Sequence, residues 1–171
     1  MVILRPTAKL RSLLPLSDSP SAQSDTALGD WYVNRVVVDR RPLLLLVSSR
    51  GLLPLLIPAR SVRDLPNRLA GFVSARLERL GVTARVIAAE ARAMTPVVTA
   101  PTTDRSVLGI MVDFAKGIPY YIDPNGWDDA ALPFVESRLA ETPCHAGRRQ
   151  DEVVFPDKAA PALLSARWGA G

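Results

Sequence analysis

The sequence is short of the residues that most enzymes use for chemistry. It holds one cysteine, Cys144, and one histidine, His145, in 171 residues. A single thiol excludes an internal disulfide, and two adjacent soft ligands fall short of the set that zinc takes at characteristic spacings. Chain neighbours rarely face each other as nucleophile and base, so a Cys-His catalytic pair is set aside as well. Lysine is scarce too, with Lys9, Lys116 and Lys158 the only lysines among 21 basic residues. No apolar run reaches the roughly 20 residues of a membrane helix. The most apolar stretch, "PLLLLVSSRGLLPLLIPA" at 42–59, is broken by Ser48, Ser49, Arg50 and Gly51. The opening "MVILRPTAKL" carries Arg5 and Pro6 where a signal peptide needs its apolar core. A cytoplasmic protein without membrane partners is the expectation. Phosphate-loop and dinucleotide glycine patterns are missing, and so is a strand-borne acidic pair with lysine for two-metal nuclease work. No metal and no cofactor are therefore expected.

What is present describes a packed domain. Apolar residues make up 48% and charged residues 22% of the chain, a globular rather than disordered composition. A chain of this length buries roughly 70% of its unfolded surface in one domain. The net charge is +4, but the basic clusters are short: Arg40 with Arg41, and Arg148 with Arg149. A phosphate-binding surface gathers many cations on one face, and the linear sequence shows no such gathering. A protein partner is favoured over a nucleic acid.

Residue patterns lay out the elements. "VILRPT" is β-prone, and Thr7 can cap a brief helix in "AKLRSLL". Residues 15–29, rich in Ser, Pro and Asp, read as a mobile loop. "WYVNRVVVD", "LLLLVSS" and "LLPLLIPA", separated by "RRP" and "RG", predict an antiparallel meander. Pro42 and Pro54 cannot donate ladder hydrogen bonds and belong at strand starts, edges or bulges. The 3.6-residue spacing of Leu65, Leu69, Phe72, Val73, Leu77 and Leu80 predicts a helix within 61–80, closed by Gly81. Further helices are expected at 83–93, from Thr103 to Gly117, and at 128–141, with a strand at 95–101. The fold class is α+β: a mainly antiparallel sheet with helices packed on one face. The domain runs over 1–145, and 146–171 reads as an irregular C-terminal extension.

Two constellations stand out. In "DRSVLGIMVDF" at 104–114, helical spacing puts Arg105, Gly109 and Asp113 on one stripe, while Val107, Leu108, Met111, Phe114 and Ala115 form the core stripe. Gly109 leaves room for something to pass closely. The stripe suits an anion held by Arg105 and oriented by Asp113, but lone helical glycines usually serve packing. The favoured reading is that the protein's own backbone crosses Gly109 and that Asp113 pairs with Arg35 or Arg41. Ser106 has no histidine to activate it, which speaks against a serine hydrolase. In "GDWYVN" at 29–34, Asp30, Tyr32 and Asn34 point one way along a strand and Trp31 and Val33 the other. Such a polar-aromatic face is either a binding surface or an anchored strand edge.

Three segments, "ILRPTAKL" at 3–10, "GDWYVNRVVVDRRPLLLLV" at 29–47 and "DRSVLGIMVDF" at 104–114, together resemble an uncharacterised family of small bacterial proteins of unknown function. Its pattern is I-L-R-x-T, then D-W-x-x-N, then R-S-V-x-G-x-x-x-D-F, covering residues 2–116. The resemblance implies a shared fold and points to Asp30, Trp31, Asn34, Asp104, Arg105, Ser106, Gly109 and Asp113 as ligand-binding candidates. The chain departs from it at Ile110 and Val112, where small or polar residues are usual. The resemblance implies no activity. The expected function is a non-enzymatic interaction module, with a small-ligand protein or enzyme built around Arg105 and Asp113 as the alternative.

Overall fold

The computed structural model describes residues 1–18, 23–145 and 152–169. Strands β1 (Val2–Pro6), β2 (Trp31–Val38), β3 (Arg41–Ser48), β4 (Pro54–Pro58) and β5 (Val97–Thr99) form one sheet in the order β4-β3-β2-β1-β5. The expected meander is β2, β3 and β4, paired antiparallel. β1 lies parallel to both β2 and β5. Asp39 and Arg40, at φ 48° and 66°, make the tight turn between β2 and β3. That left-handed pair matches the twist of the strands it joins.

The leucine run of β3 explains why the sheet is covered twice. Leu44 and Leu46 join Val2, Leu4, Trp31 and Val33 in one core cluster. Leu43, Leu45 and Val47 join Tyr32 and Leu56 in a second cluster on the opposite face. A strand apolar on both sides needs helices on both sides. Helices α1 (Leu65–Arg79), α2 (Ala84–Ala93) and α5 (Pro156–Trp168) supply the first cluster. α3 (Arg105–Gly117) and α4 (Leu132–Ala140) supply the second. The α+β class stands, and its helices occupy both faces rather than one.

Two further expectations are corrected. Residues 146–171 read as irregular, yet α5 buries Ala160 and Leu164 completely. Its Trp168 Nε1 donates to Glu90 Oε2 at 2.6 Å. Residues 146–151, including Arg148 and Arg149, lie outside the described residues, as do 19–22 of the expected mobile loop. The rest of that loop is tied down. Ser24 Oγ accepts from the Ile3 amide at 2.9 Å, and the amides of Ala27 and Leu28 donate to the buried Glu90 carboxylate at 2.9 and 3.1 Å. A short antiparallel pair, β6 (Cys144–His145) and β7 (Val153–Val154), sits apart from the main sheet.

Both outer margins of the sheet are partly covered. Along β4, the outward positions are Pro54, Leu56 and Pro58, so two of the three lack an N–H. The remaining donor, Leu56 N–H, gives its hydrogen bond to Glu136 Oε1 of α4 at 2.9 Å. Arg76 of α1 reaches around the same edge to the Pro54 carbonyl at 3.4 Å and to Glu136 Oε2 at 3.4 Å. At the other margin, Ser17 closes β5: its Oγ accepts from Thr99 N–H at 3.0 Å and its own N–H donates to the Thr99 carbonyl at 3.0 Å.

Candidate functional site

One stretch of backbone is left open inside the sheet. β1 accompanies β2 only to the pair Pro6–Val33. Thr7 N–H then donates to the Val33 carbonyl at 3.0 Å, and the chain turns away into a 3₁₀ turn at Ala8–Leu10. β2 continues through Val38 with β3 as its only neighbour. Backbone groups alternate sides along a strand. Since Val33 faces β1, the amides and carbonyls of Arg35 and Val37 face the place that a longer β1 would fill. Asn34 Oδ1 takes the Arg35 N–H at 2.9 Å and is itself held by Thr7 Oγ1 at 2.7 Å. The Val37 N–H and the carbonyls of Arg35 and Val37 have no partner among the described residues.

Beside this open edge lies a groove of about 590 Å³, walled by β2 residues Asn34–Val38 and by Leu108, Met111, Val112 and Ala115 of α3. Val37 and Val112 stand 56% and 52% exposed on its lips. Lys9, Arg35 and Lys116 line it and no carboxylate does. None of the three cations makes an ion pair among the described residues. Arg105 precedes Val112 and Lys116 by seven and eleven residues, so it shares their helical stripe and is exposed.

The sequence candidates are dispersed. Asn34 belongs to the groove. Asp30 is a structural junction: its carboxylate accepts from Arg5 Nε at 2.6 Å and from Ser24 Oγ at 2.6 Å, and its amide donates to Ser49 Oγ at 2.8 Å. Trp31 is fully buried in the first core cluster, its Nε1 without a hydrogen-bond partner among the described residues. Asp104, rather than Thr103, caps α3, its Oδ1 accepting from the amides of Ser106 and Val107 at 2.8 and 3.4 Å. Its own amide donates to Tyr32 Oη at 3.1 Å, which docks the helix start on the sheet.

The expected crossing of Gly109 does not occur. A Cβ built there meets nothing within 4 Å, and Arg105, Ser106, Gly109 and Asp113 are all exposed. α3 is rotated so that Val107, Ile110, Met111 and Phe114 are buried, which turns the glycine stripe to solvent. Arg35 and Arg41 do not pair with Asp113: Arg35 borders the groove, and the Arg41 guanidinium stacks 4.9 Å from the centre of the Trp127 ring.

Asp113 instead borders a narrower pocket of about 230 Å³ with Ile110, Phe114, Tyr121, Cys144 and His145. Burial first, and the Asp113 carboxylate second, push the Cys144 thiol up to about 11. A thiol held protonated in this way is a poor nucleophile. Among the described residues no group of three or more His, Cys, Asp and Glu is placed to hold a metal ion. No described helix is long and apolar enough to cross a membrane.

Sequence reasoning missed Lys9, Arg35, Val37 and Lys116. Arg35 and Val37 had one signal, the alternation of "NRVVV", which puts them on the strand face of Trp31 and Val33 but beyond the part that the core buries; Lys9 and Lys116 had none.

No curated protein matches the chain, and no solved structure does. A family model described as a domain of unknown function, DUF6933, matches residues 3–159. That span takes in all of the sheet but Val2, α1 to α4 and the start of α5, and the chain belongs to this family of unknown function.

Proposed function

We propose that the protein is a non-enzymatic interaction module that receives a partner macromolecule in the groove between β2 and α3. The observation that carries this reading is the open backbone of Arg35 and Val37 beside an apolar groove ringed by unpaired cations. A solvent-facing strand edge is normally paired, covered or blunted, as at β4, where prolines remove two donors and Glu136 takes the third. An interaction surface accounts for that exception. A cytoplasmic setting is proposed with it, which suits the unpaired thiol of Cys144.

The test is a photoreactive amino acid placed at Val112 in the full chain, expressed in its own host. Phe134, 58% exposed on α4, serves as the control position. Covalent adducts to a discrete protein are expected from position 112 and not from 134. Absence of adducts at 112 removes the reading.

A second reading, a small-ligand protein, has the 230 Å³ pocket of Asp113, Cys144 and His145 in its favour. It places the ligand beside α3 on the flank away from the groove. A metabolite-sized compound whose binding is lost in Asp113→Ala and kept when the groove cations are reversed would favour it.

A further inference from the structure

Building on the interaction reading above, the geometry points to one class of partner: an extended acidic protein segment that adds to β2 at Arg35–Val38 as the strand that β1 stops short of forming.

Three features converge on that occupant. The first is the backbone. The Val37 N–H and the carbonyls of Arg35 and Val37 point into the groove with no partner among the described residues. Only another extended chain offers donors and acceptors at the matching repeat, and strand addition draws its affinity from those main-chain bonds. Asn34 marks where the site begins. By occupying the Arg35 N–H at 2.9 Å, its side chain ends the ladder that β1 started, so the newcomer pairs only with what lies beyond.

The second feature is charge. Lys9, Arg35 and Lys116 surround the groove without a carboxylate among its lining residues. Arg105 extends the same helical stripe toward the start of α3. Unpaired cations around a partly desolvated groove steer an acidic partner in and reject a basic one. They also carry little cost while free, because each stays hydrated at its tip.

The third feature is the apolar wall. Val36, Leu108, Met111, Val112 and Ala115 give one side of an added strand an apolar seat. With side chains alternating across the strand, the segment that fits has apolar residues at every second position and Asp or Glu between them. A single-stranded nucleic acid shares the negative charge but lacks a match otherwise. Bases bind by stacking on aromatic rings, and none of the residues lining the groove is aromatic.

The test begins with a displayed library of random ten-residue peptides selected against the full chain. Enriched sequences are expected to be acidic with alternating apolar residues. A synthetic peptide of the consensus should weaken by at least about tenfold with Val37→Pro, which removes the free edge donor and leaves the β3 pairing intact. A comparable loss is expected in the triple variant Lys9→Glu, Arg35→Glu and Lys116→Glu, which alters exposed groove residues and serves if the proline variant does not fold. Peptide binding should also slow hydrogen exchange at the Val37 amide. Enrichment of neutral or basic peptides, no enrichment, or an acidic peptide indifferent to both variants overturns the inference. So does a thymidine oligonucleotide that displaces the peptide and binds the groove more tightly. In each of those cases adducts from position 112 leave the broader interaction reading standing. Loss of those adducts as well removes both.

Discussion

Two edges of one sheet are handled in opposite ways. At β4 the prolines of "PLLIP" remove two donors, and the third, on Leu56, is consumed by Glu136, a residue 80 positions away in sequence. Glu136 and Arg76 are each only 1% exposed. Burial is the largest influence on both, raising the Glu136 carboxyl and holding the Arg76 guanidinium low, against the attraction between them. A buried pair of this kind gives little net stability. Its contribution is closure of an edge that would otherwise present an open donor. At β2, by contrast, the Val37 N–H and the carbonyls of Arg35 and Val37 have no partner among the described residues and lie beside unpaired cations. Closure at a desolvation cost on one side makes the opening on the other a feature that calls for a partner.

The comparison is most strongly disturbed by Glu136→Ala. It leaves Leu56 N–H unsatisfied and Arg76 buried without its counter-charge, a loss of about 3–5 kcal/mol in urea denaturation. A loss below about 1 kcal/mol would show that water closes the edge, and the contrast with β2 would weaken.

A smaller effect is expected from pH. The Glu136 carboxyl holds its proton more tightly in the folded chain than in the unfolded one. Its contribution is therefore fully present below the ordinary carboxylate range and lost as the pH rises through the raised value. Glu136→Gln should lack that segment of the stability profile, measured by denaturation from mild acid to neutrality. An unchanged profile would mean that the pair is better solvated than its burial indicates.

The smallest effect belongs to the open edge. Reversing Lys9, Arg35 and Lys116 to Glu should shift the unfolding free energy by no more than about 0.5 kcal/mol, because none is tied into the fold. A larger loss, read in the same denaturation series, would assign those cations a structural task and take them away from a partner.

Much of the architecture was legible in the residues. The meander followed from three β-branched and leucine-rich runs between turn signals, and Pro54 indeed sits on an edge strand. α1 announced itself through its leucine spacing. The C-terminal helix did not. Pro156 and Pro161 lie within "PDKAAPALLSARW", and proline normally interrupts a helix by removing a donor. Here Pro156 starts the helix, where no donor is needed. Burial of Ala160 and Leu164, together with the Trp168 bond to Glu90, outweighs the break at Pro161. The candidate site was only partly legible. Asn34 was in view and Arg105 shares the groove's helical stripe, but Asp113 borders the other flank of α3 and nothing crosses Gly109. A helical wheel ranks faces by polarity and does not reveal what lies above them.

The sequence alone determined most of the elements up to α4, because side-chain period, capping and proline placement act over a few residues. The unbroken leucine run of β3 buries the strand on both faces, although helices were expected on one face only. Only the tertiary structure decided which backbone groups go unanswered. That outcome depends on where β1 stops relative to β2, and on α4 carrying Glu136 to an edge strand 80 residues earlier. Hydrogen-bond satisfaction at a sheet edge is a property of what docks there, and no local pattern of residues encodes it.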